Sequence, residues 1–287
     1  MNALEQNTSP ELPLLLGVMG DPVIQSKSPV MHQAALRASG LAGTYVPLHV
    51  EAQFLEEAIL GVRALGFRGV NVTVPHKVNC IPFLDEVDEG ALAIGAVNTI
   101  VNDEGRLKGY NTDGIGYIRS LKEEAVSDLS GKNVLVLGSG GAARGIVHAL
   151  LGEKPGRVTV ANRTADKARG LAAEWSGLGP LAGCGMNEIA GILPEIDILI
   201  NTTSVGMYPH PGQTPIDPAL LPSGIVVSDL IYNPLKTELL IRAEEKDCRI
   251  HNGLGMFVYQ GGYAFEYWTG LSAPIEAMRN AVLGTLV

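Results

Sequence analysis

A lysine and an aspartate that follow two separate strand-like runs are the residues best placed to do chemistry. In Gly69-Val70-Asn71-Val72-Thr73-Val74-Pro75-His76-Lys77, valines alternate with Asn71 and Thr73, which predicts a short strand with one apolar and one polar side. Pro75 then predicts a helix start, with Lys77 in its first turn. A cation there faces the positive end of the helix dipole, where carboxylates are normally preferred, so its placement calls for a reason other than folding. An ammonium in that position can donate a proton or stabilise negative charge developing on an oxygen. The matching acid comes from Asn111-Thr112-Asp113-Gly114. Asp113 is read either as the cap of a helix over 114–122 or as a group facing a cleft at a domain junction.

Two further segments carry polar groups to the ends of predicted elements. Gln25-Ser26-Lys27-Ser28-Pro29 precedes a helix that Pro29 can open. In an extended segment the hydroxyls of Ser26 and Ser28 share one side while Lys27 points away. Ser28 is then a plain N-cap, or half of a modest site for a carboxylate at a helix N-terminus. Asn98-Thr99 sits at the start of another strand-like run, and strand ends of an open α/β sheet are where ligands bind.

The second half reads as a nucleotide site. Val134 to Arg144 is a strand, the turn Gly138-Ser139-Gly140-Gly141-Ala142-Ala143 and the start of a helix, with Gly138, Gly140 and Ala143 on the three positions of a dinucleotide fingerprint. Small residues there let backbone N–H groups approach a pyrophosphate. The next strand ends in Asn162-Arg163-Thr164, with Lys167 a helical step on and no carboxylate for ribose hydroxyls. Arg163 can clamp a 2′-phosphate with its planar fork and Thr164 can donate from a helix N-cap, which points to NADP.

These motifs need a framework of strands and helices in alternation, and the chain supplies one. Strand-like runs at 14–19, 44–50 and 69–74 alternate with helix-like runs at 29–39, 53–65 and 75–83, followed by strands at 99–101 and 107–110. After the polar turn at 129–132 a second series runs 133–137, 142–151, 157–161, 165–175, 196–200 and 225–229. The pattern predicts an α/β protein with two open sheets joined near residue 113, the second a Rossmann-type dinucleotide-binding unit.

Composition bounds the rest. At 287 residues with 46% apolar and 18% charged residues, the chain reads as ordered and globular. A net charge of −9 argues against a nucleic-acid partner, so any anionic ligand must be held by local groups. The three cysteines are scattered, which predicts a reduced, cytoplasmic protein. The apolar run before Gly20 reads as a buried strand and not a signal peptide, no stretch is long enough to span a membrane, and the six histidines form no metal motif.

With these motifs in one order, the chain resembles the shikimate dehydrogenase family over nearly its full length, after an N-terminal extension of about ten residues. The resemblance rests on Ser26-Lys27-Ser28-Pro29 with His32, on Asn71 to Lys77, on Gly95-Ala96-Val97-Asn98-Thr99 and on Asn111 to Gly114. It continues through the glycine turn, Asn162-Arg163-Thr164, Asn201-Thr202-Thr203-Ser204-Val205-Gly206-Met207 and Tyr259-Gln260-Gly261. It implies NADPH-dependent reduction of 3-dehydroshikimate to shikimate, a step towards aromatic amino acids, with Lys77 and Asp113 as the catalytic pair. Ser26, Ser28, Thr73, Asn98 and Gln260 would hold the substrate, with the serines on its carboxylate. Asn162, Arg163, Thr164 and Lys167 would hold the adenosine phosphate, and Thr202, Ser204, Met207, Tyr232, Gly253 and Met256 the remaining cofactor surface. The resemblance also implies that helices from about residue 251 return to the first domain. The expected domains are thus 1–113 with 251–287 for substrate and 114–250 for NADP. Gln25 and Gln33 depart from the family, which usually has His and Asn there; neither position carries the expected chemistry. A homodimer is compatible with all of this. The competing readings are a quinate/shikimate dehydrogenase using NAD and a non-catalytic NADP-sensing protein on the same fold.

Overall fold

The computed structural model describes residues 12–286. The expected N-terminal extension and Val287 lie outside the described residues. Two six-stranded sheets organise the chain.

The first is built from β1 (Leu14–Gly20), β2 (Gly43–His49), β3 (Gly69–Val72), β4 (Glu86–Val87), β5 (Thr99–Asp103) and β6 (Arg106–Tyr110), in the order β2-β1-β3-β5-β6-β4. β1, β2 and β3 are parallel, whereas β5 runs antiparallel to both β3 and β6. Its helices are α1 (Ser28–Ala38), α2 (Leu55–Ala64) and α3 (Glu89–Ile94). α4 (Asp113–Glu124) then leads to the second sheet.

That sheet is parallel throughout. β7 (Asn133–Leu137), β8 (Arg157–Asn162), β9 (Leu181–Gly185), β10 (Ile198–Asn201), β11 (Val226–Asp229) and β12 (Arg249–His251) lie in the order β12-β11-β10-β7-β8-β9. α5 (Gly141–Gly152), α6 (Ala165–Glu174) and α7 (Glu238–Glu244) connect them. Val134, Leu135, Val136 and Leu137 of β7 are all buried, as a strand covered by helices on both faces requires.

The last two helices, α8 (Leu254–Thr269) and α9 (Ile275–Leu283), turn back onto the first sheet. Val258, Phe265 and Trp268 of α8 pack in one cluster with Leu16 and Val18 of β1, and the Trp268 indole N–H donates to the Ile100 carbonyl of β5 at 3.0 Å. α4 packs along α8 while its Tyr117, Ile118 and Leu121 join the core under β7 and β8, so this helix pair bridges the two sheets.

Two local expectations are corrected and one alternative is decided. No α-helix follows Pro75, and β3 ends at Val72 with all four residues buried. Lys77 lies in a turn, where its carbonyl accepts from Val97 N–H at 2.8 Å in the neighbouring segment instead of propagating a helix. Pro82, only a few residues on, would end any helix started there. Lys77 therefore opposes no helix dipole. Ser26 and Ser28 do share a side, but through a turn: Lys27 is helical in backbone conformation, and its Nζ reaches the Thr285 carbonyl at 3.5 Å. Of the two readings of Asp113, the one that faces a cleft holds. The residue is the first of α4, and its side chain leaves the helix for the cleft.

Candidate active site

Strand direction explains why distant motifs meet. β1, β3 and β6 end at one edge of the first sheet and the antiparallel β5 begins there, so the segments after Gly20, Val72 and Tyr110 converge with the residue just before Thr99. Ser26, Ser28, Thr73, Lys77, Asn98 and Asp113 thereby line one cavity of about 470 Å³. Gln260, Met256 and Phe257 enter it from α8, and Ala142, Met207, Tyr232 and Gly253 close it from the side of the second sheet.

At its centre Lys77 Nζ donates to Asp113 Oδ2 at 2.6 Å. The lysine side chain is 22% exposed and the carboxylate 8%, a setting in which charges are screened less than at the surface. Asp113 stands in the first turn of α4, where the dipole favours a carboxylate. Its other oxygen, Oδ1, accepts from Asn98 Nδ2 at 2.8 Å. The same amide donates to Thr112 Oγ1 at 3.0 Å, and Asn98 Oδ1 accepts from the Thr112 amide at 2.9 Å. Asn98 therefore has both amide hydrogens engaged within the protein, and what it fixes is the Asp113 carboxylate.

Sequence reasoning passed over Asn71 as a site residue. It lines the cavity, accepts from Tyr45 Oη at 2.7 Å and donates to Thr99 Oγ1 at 3.1 Å. The available signal was a polar side chain in a four-residue strand that is otherwise apolar. Burial pushes the Tyr45 phenol well up, so it stays a neutral donor.

The second sheet offers its own crevice. Strand order reverses between β7 and β10, the switch point where an open α/β sheet binds ligands beyond its strand ends. Gly138, just after β7, has a left-handed conformation (φ 105°), and a Cβ there would stand 2.7 Å from Thr202 Oγ1. Thr202 in turn donates to the Leu137 carbonyl at 2.7 Å and buttresses this turn. Around Gly140 and Gly141 a Cβ would meet nothing within 4 Å, and no side chain caps α5, so the first turn is open to an anion. At the end of β8 Asn162 Nδ2 folds back onto the Thr164 carbonyl at 3.0 Å. Arg163, Thr164 and Lys167 project into solvent, with no ion pair among the described residues for either cation. Ser204 is exposed in the loop after β10. These residues fit a dinucleotide carrying an additional phosphate. Gly138, Gly140, Gly141, Asn162, Arg163, Thr164, Lys167, Thr202 and Ser204 lie outside the cavity, while Ala142, Met207, Tyr232, Gly253 and Met256 line it.

A Rossmann-type sheet set against a polar cleft defines the class: a dinucleotide-dependent α/β oxidoreductase. Residues 18–100 match the shikimate dehydrogenase substrate binding domain, 120–208 the shikimate/quinate 5-dehydrogenase family and 253–283 the shikimate 5'-dehydrogenase C-terminal domain. The chain belongs to the shikimate dehydrogenase family. It is 48% identical over 272 residues to an NADP(+) shikimate dehydrogenase of Geobacillus sp. (strain WCH70), covering 95% of this chain and 98% of that one. Among solved structures, shikimate 5-dehydrogenase from Thermus thermophilus, in complex with NADP(H) and shikimate, superposes with a TM-score of 0.86 at 38% identity, covering 95% of this chain and 100% of the other. Quinate dehydrogenase from Corynebacterium glutamicum, in complex with NAD, gives 0.89 at 32% identity, covering 95% and 99%.

Proposed function

We propose that this chain catalyses the reversible NADPH-dependent reduction of 3-dehydroshikimate to shikimate, a step towards the aromatic amino acids, with Lys77 and Asp113 as its catalytic pair. Residues 12–113 and 251–286 form the substrate domain and 114–250 the NADP domain. The observation that carries the assignment of roles is the ion pair at 2.6 Å, set in a cavity lined from both sheets.

Bound NADPH supplies the hydride, and the chain's own residues manage charge and protons. As negative charge develops on the former carbonyl oxygen, the Lys77 ammonium donates a proton to it. Asp113 holds that ammonium and accepts from a substrate hydroxyl, while Asn98 keeps the carboxylate in place. The hydroxyls of Ser26 and Ser28 take the substrate carboxylate, and Thr73 and Gln260 complete the polar wall. Arg163, with Thr164 and Lys167, holds the 2′-phosphate.

The test is a spectrophotometric assay of shikimate with NADP+ and NAD+ in parallel, repeated with quinate. A preference for shikimate with NADP+ supports the proposal, and absence of turnover with either pair of substrates overturns it. A second reading, quinate or shikimate oxidation with NAD, has the likeness to the Corynebacterium enzyme in its favour. Arg163 and the absence of an acid at the end of β8 weigh against it.

No described helix is long and apolar enough to cross a membrane, and small molecules are the partners the cavity suits. The scattered cysteines, all buried and unpaired, accord with the proposal of a cytoplasmic protein.

A further inference from the structure

Arg144 belongs to the first turns of α5, two residues beyond the cavity-lining Ala142, yet its side chain takes no part in the cavity. Within the half of the molecule built on the second sheet it is held twice. Its Nη1 and Nη2 donate to the two carboxylate oxygens of Glu174 at 3.0 and 2.6 Å, and the guanidinium lies 4.7 Å from the centroid of the Trp175 ring. A fork held by a bidentate acid and an aromatic face is fixed in direction. The remaining donor, Nε, is thereby aimed across the gap between the sheets, where it reaches the Ile94 carbonyl at 2.7 Å.

Ile94 closes α3 and opens the segment that builds the catalytic edge. Ala96 O accepts from Asn111 Nδ2 at 2.9 Å, and Val97 N–H donates to Lys77 O at 2.8 Å. Asn98 follows, with its amide on Asp113. One side chain of the glycine-turn helix thus touches the short segment that supports Lys77, Asn98 and, through Asn111, the approach to Asp113.

We infer that Arg144 is a positioning residue: its guanidinium, braced by Glu174 and Trp175, straps the glycine-turn helix to residues 94–98 and sets the separation between the cofactor half and the Lys77–Asp113 pair. The inference rests on the dehydrogenase reading above. Transfer of hydride across a cleft depends steeply on how the two sides are held, so loss of the strap lowers turnover more than it weakens binding of either ligand. Arg144 touches neither the proposed phosphate residues nor the cavity, and an effect on cofactor affinity alone is not what the geometry calls for.

The test uses the full chain carrying Arg144→Met, and separately Glu174→Gln, which leaves the strap but removes its charged brace. Small-angle scattering of the cofactor-free proteins reads the separation of the halves, thermal melting reads folding, and steady-state kinetics with shikimate and NADP+ read alignment. The expected result for Arg144→Met is a larger radius of gyration than wild type and a kcat lower by about tenfold, with both KM values within about threefold. Glu174→Gln moves scattering and kcat the same way by less. The inference is overturned if Arg144→Met scatters like wild type and keeps kcat within about twofold. It is equally overturned if only the melting temperature falls, or if only the KM for NADP+ rises. Should wild type fail to oxidise shikimate, the dehydrogenase reading falls, and the scattering comparison still decides the strap.

Discussion

Lys77 Nζ and Asp113 Oδ2 stand 2.6 Å apart although 36 residues separate them in the chain, and Asn98 holds the second oxygen of the same carboxylate. The ammonium is therefore presented in one direction, towards the cavity. Replacing Lys77 by Ala is expected to cut kcat by ~10²–10⁴ with a smaller change in the KM for shikimate, because the lost interaction forms chiefly as charge develops. Since oxidation of shikimate releases a proton and reduction of 3-dehydroshikimate consumes one, the balance should move towards oxidation as pH rises. Initial rates in both directions across pH check this, and a Lys77→Ala variant with near-full turnover would refute the role.

Arg163 projects into solvent beside a glycine turn that no side chain caps. Its replacement by Ala should weaken NADP+ binding by roughly 10- to 100-fold, the equivalent of one charge-assisted contact of ~1.5–3 kcal/mol, and leave NAD+ binding nearly unchanged. Fluorescence titration with each cofactor separates the two cases. Equal losses for both would place Arg163 on the pyrophosphate or the adenine and not on a 2′-phosphate.

Most of the framework was legible in the sequence because long strands and helices carry their period openly. The run 133–137 was placed to the residue, and the helices at 28–38 and 165–174 within one. The elements that escaped notice are short or poor in side chains: β9, Leu181-Ala182-Gly183-Cys184-Gly185, has two glycines and no alternation, and β4 is two residues long. The helix expected after Pro75 failed because a carbonyl it needed is taken by Val97 from a segment twenty residues on, which no local pattern reveals. Tertiary register also hid the role of Asn98. From the sequence it is a polar residue before a strand, which the family resemblance sets against the substrate; its hold on Asp113 comes from the antiparallel course of β5.

The bridge between the sheets depends on close helix packing. A Cβ at Gly116 of α4 would stand 2.6 Å from the amide nitrogen of Gln260 in α8, and backbone cannot yield as a side chain does. Gly116→Ala should therefore cost about 1–3 kcal/mol of stability through overpacking. Because the displaced residue lines the cavity, the KM for shikimate should rise more than that for NADP+. Chemical denaturation and paired KM measurements test it. Unchanged stability would mean that the two helices separate freely.

Acid stability follows from three buried groups whose signs differ. Burial pushes His32 down from 6.5 to about 3 and His251 from 6.5 to about 4, so each favours folding in its neutral form. Their contribution is complete above 6.5 and is lost as pH falls towards those lower values. Asp229 opposes them: burial raises it from 3.8 to about 6 despite hydrogen bonds from Asn201, Thr237 and Ile231, so its contribution is complete below 3.8 and is lost as pH rises through about 6. Between about pH 4 and 6 these three groups together bind one more proton in the unfolded chain than in the folded one, two histidines against one aspartate, and their net contribution to stability should fall by about 1.4 kcal/mol per unit of acidification. His251 sits between the hydroxyls of Ser120 and Ser228, with Glu124 3.7 Å away. His251→Asn should remove its proton from the balance and flatten the dependence, whatever it does to stability at pH 7. Asp229→Asn should steepen it by about 1.4 kcal/mol per unit. Urea unfolding of the three proteins at several pH values reads these slopes directly, and a wild-type slope of opposite sign would show that the histidines are charged in the folded state.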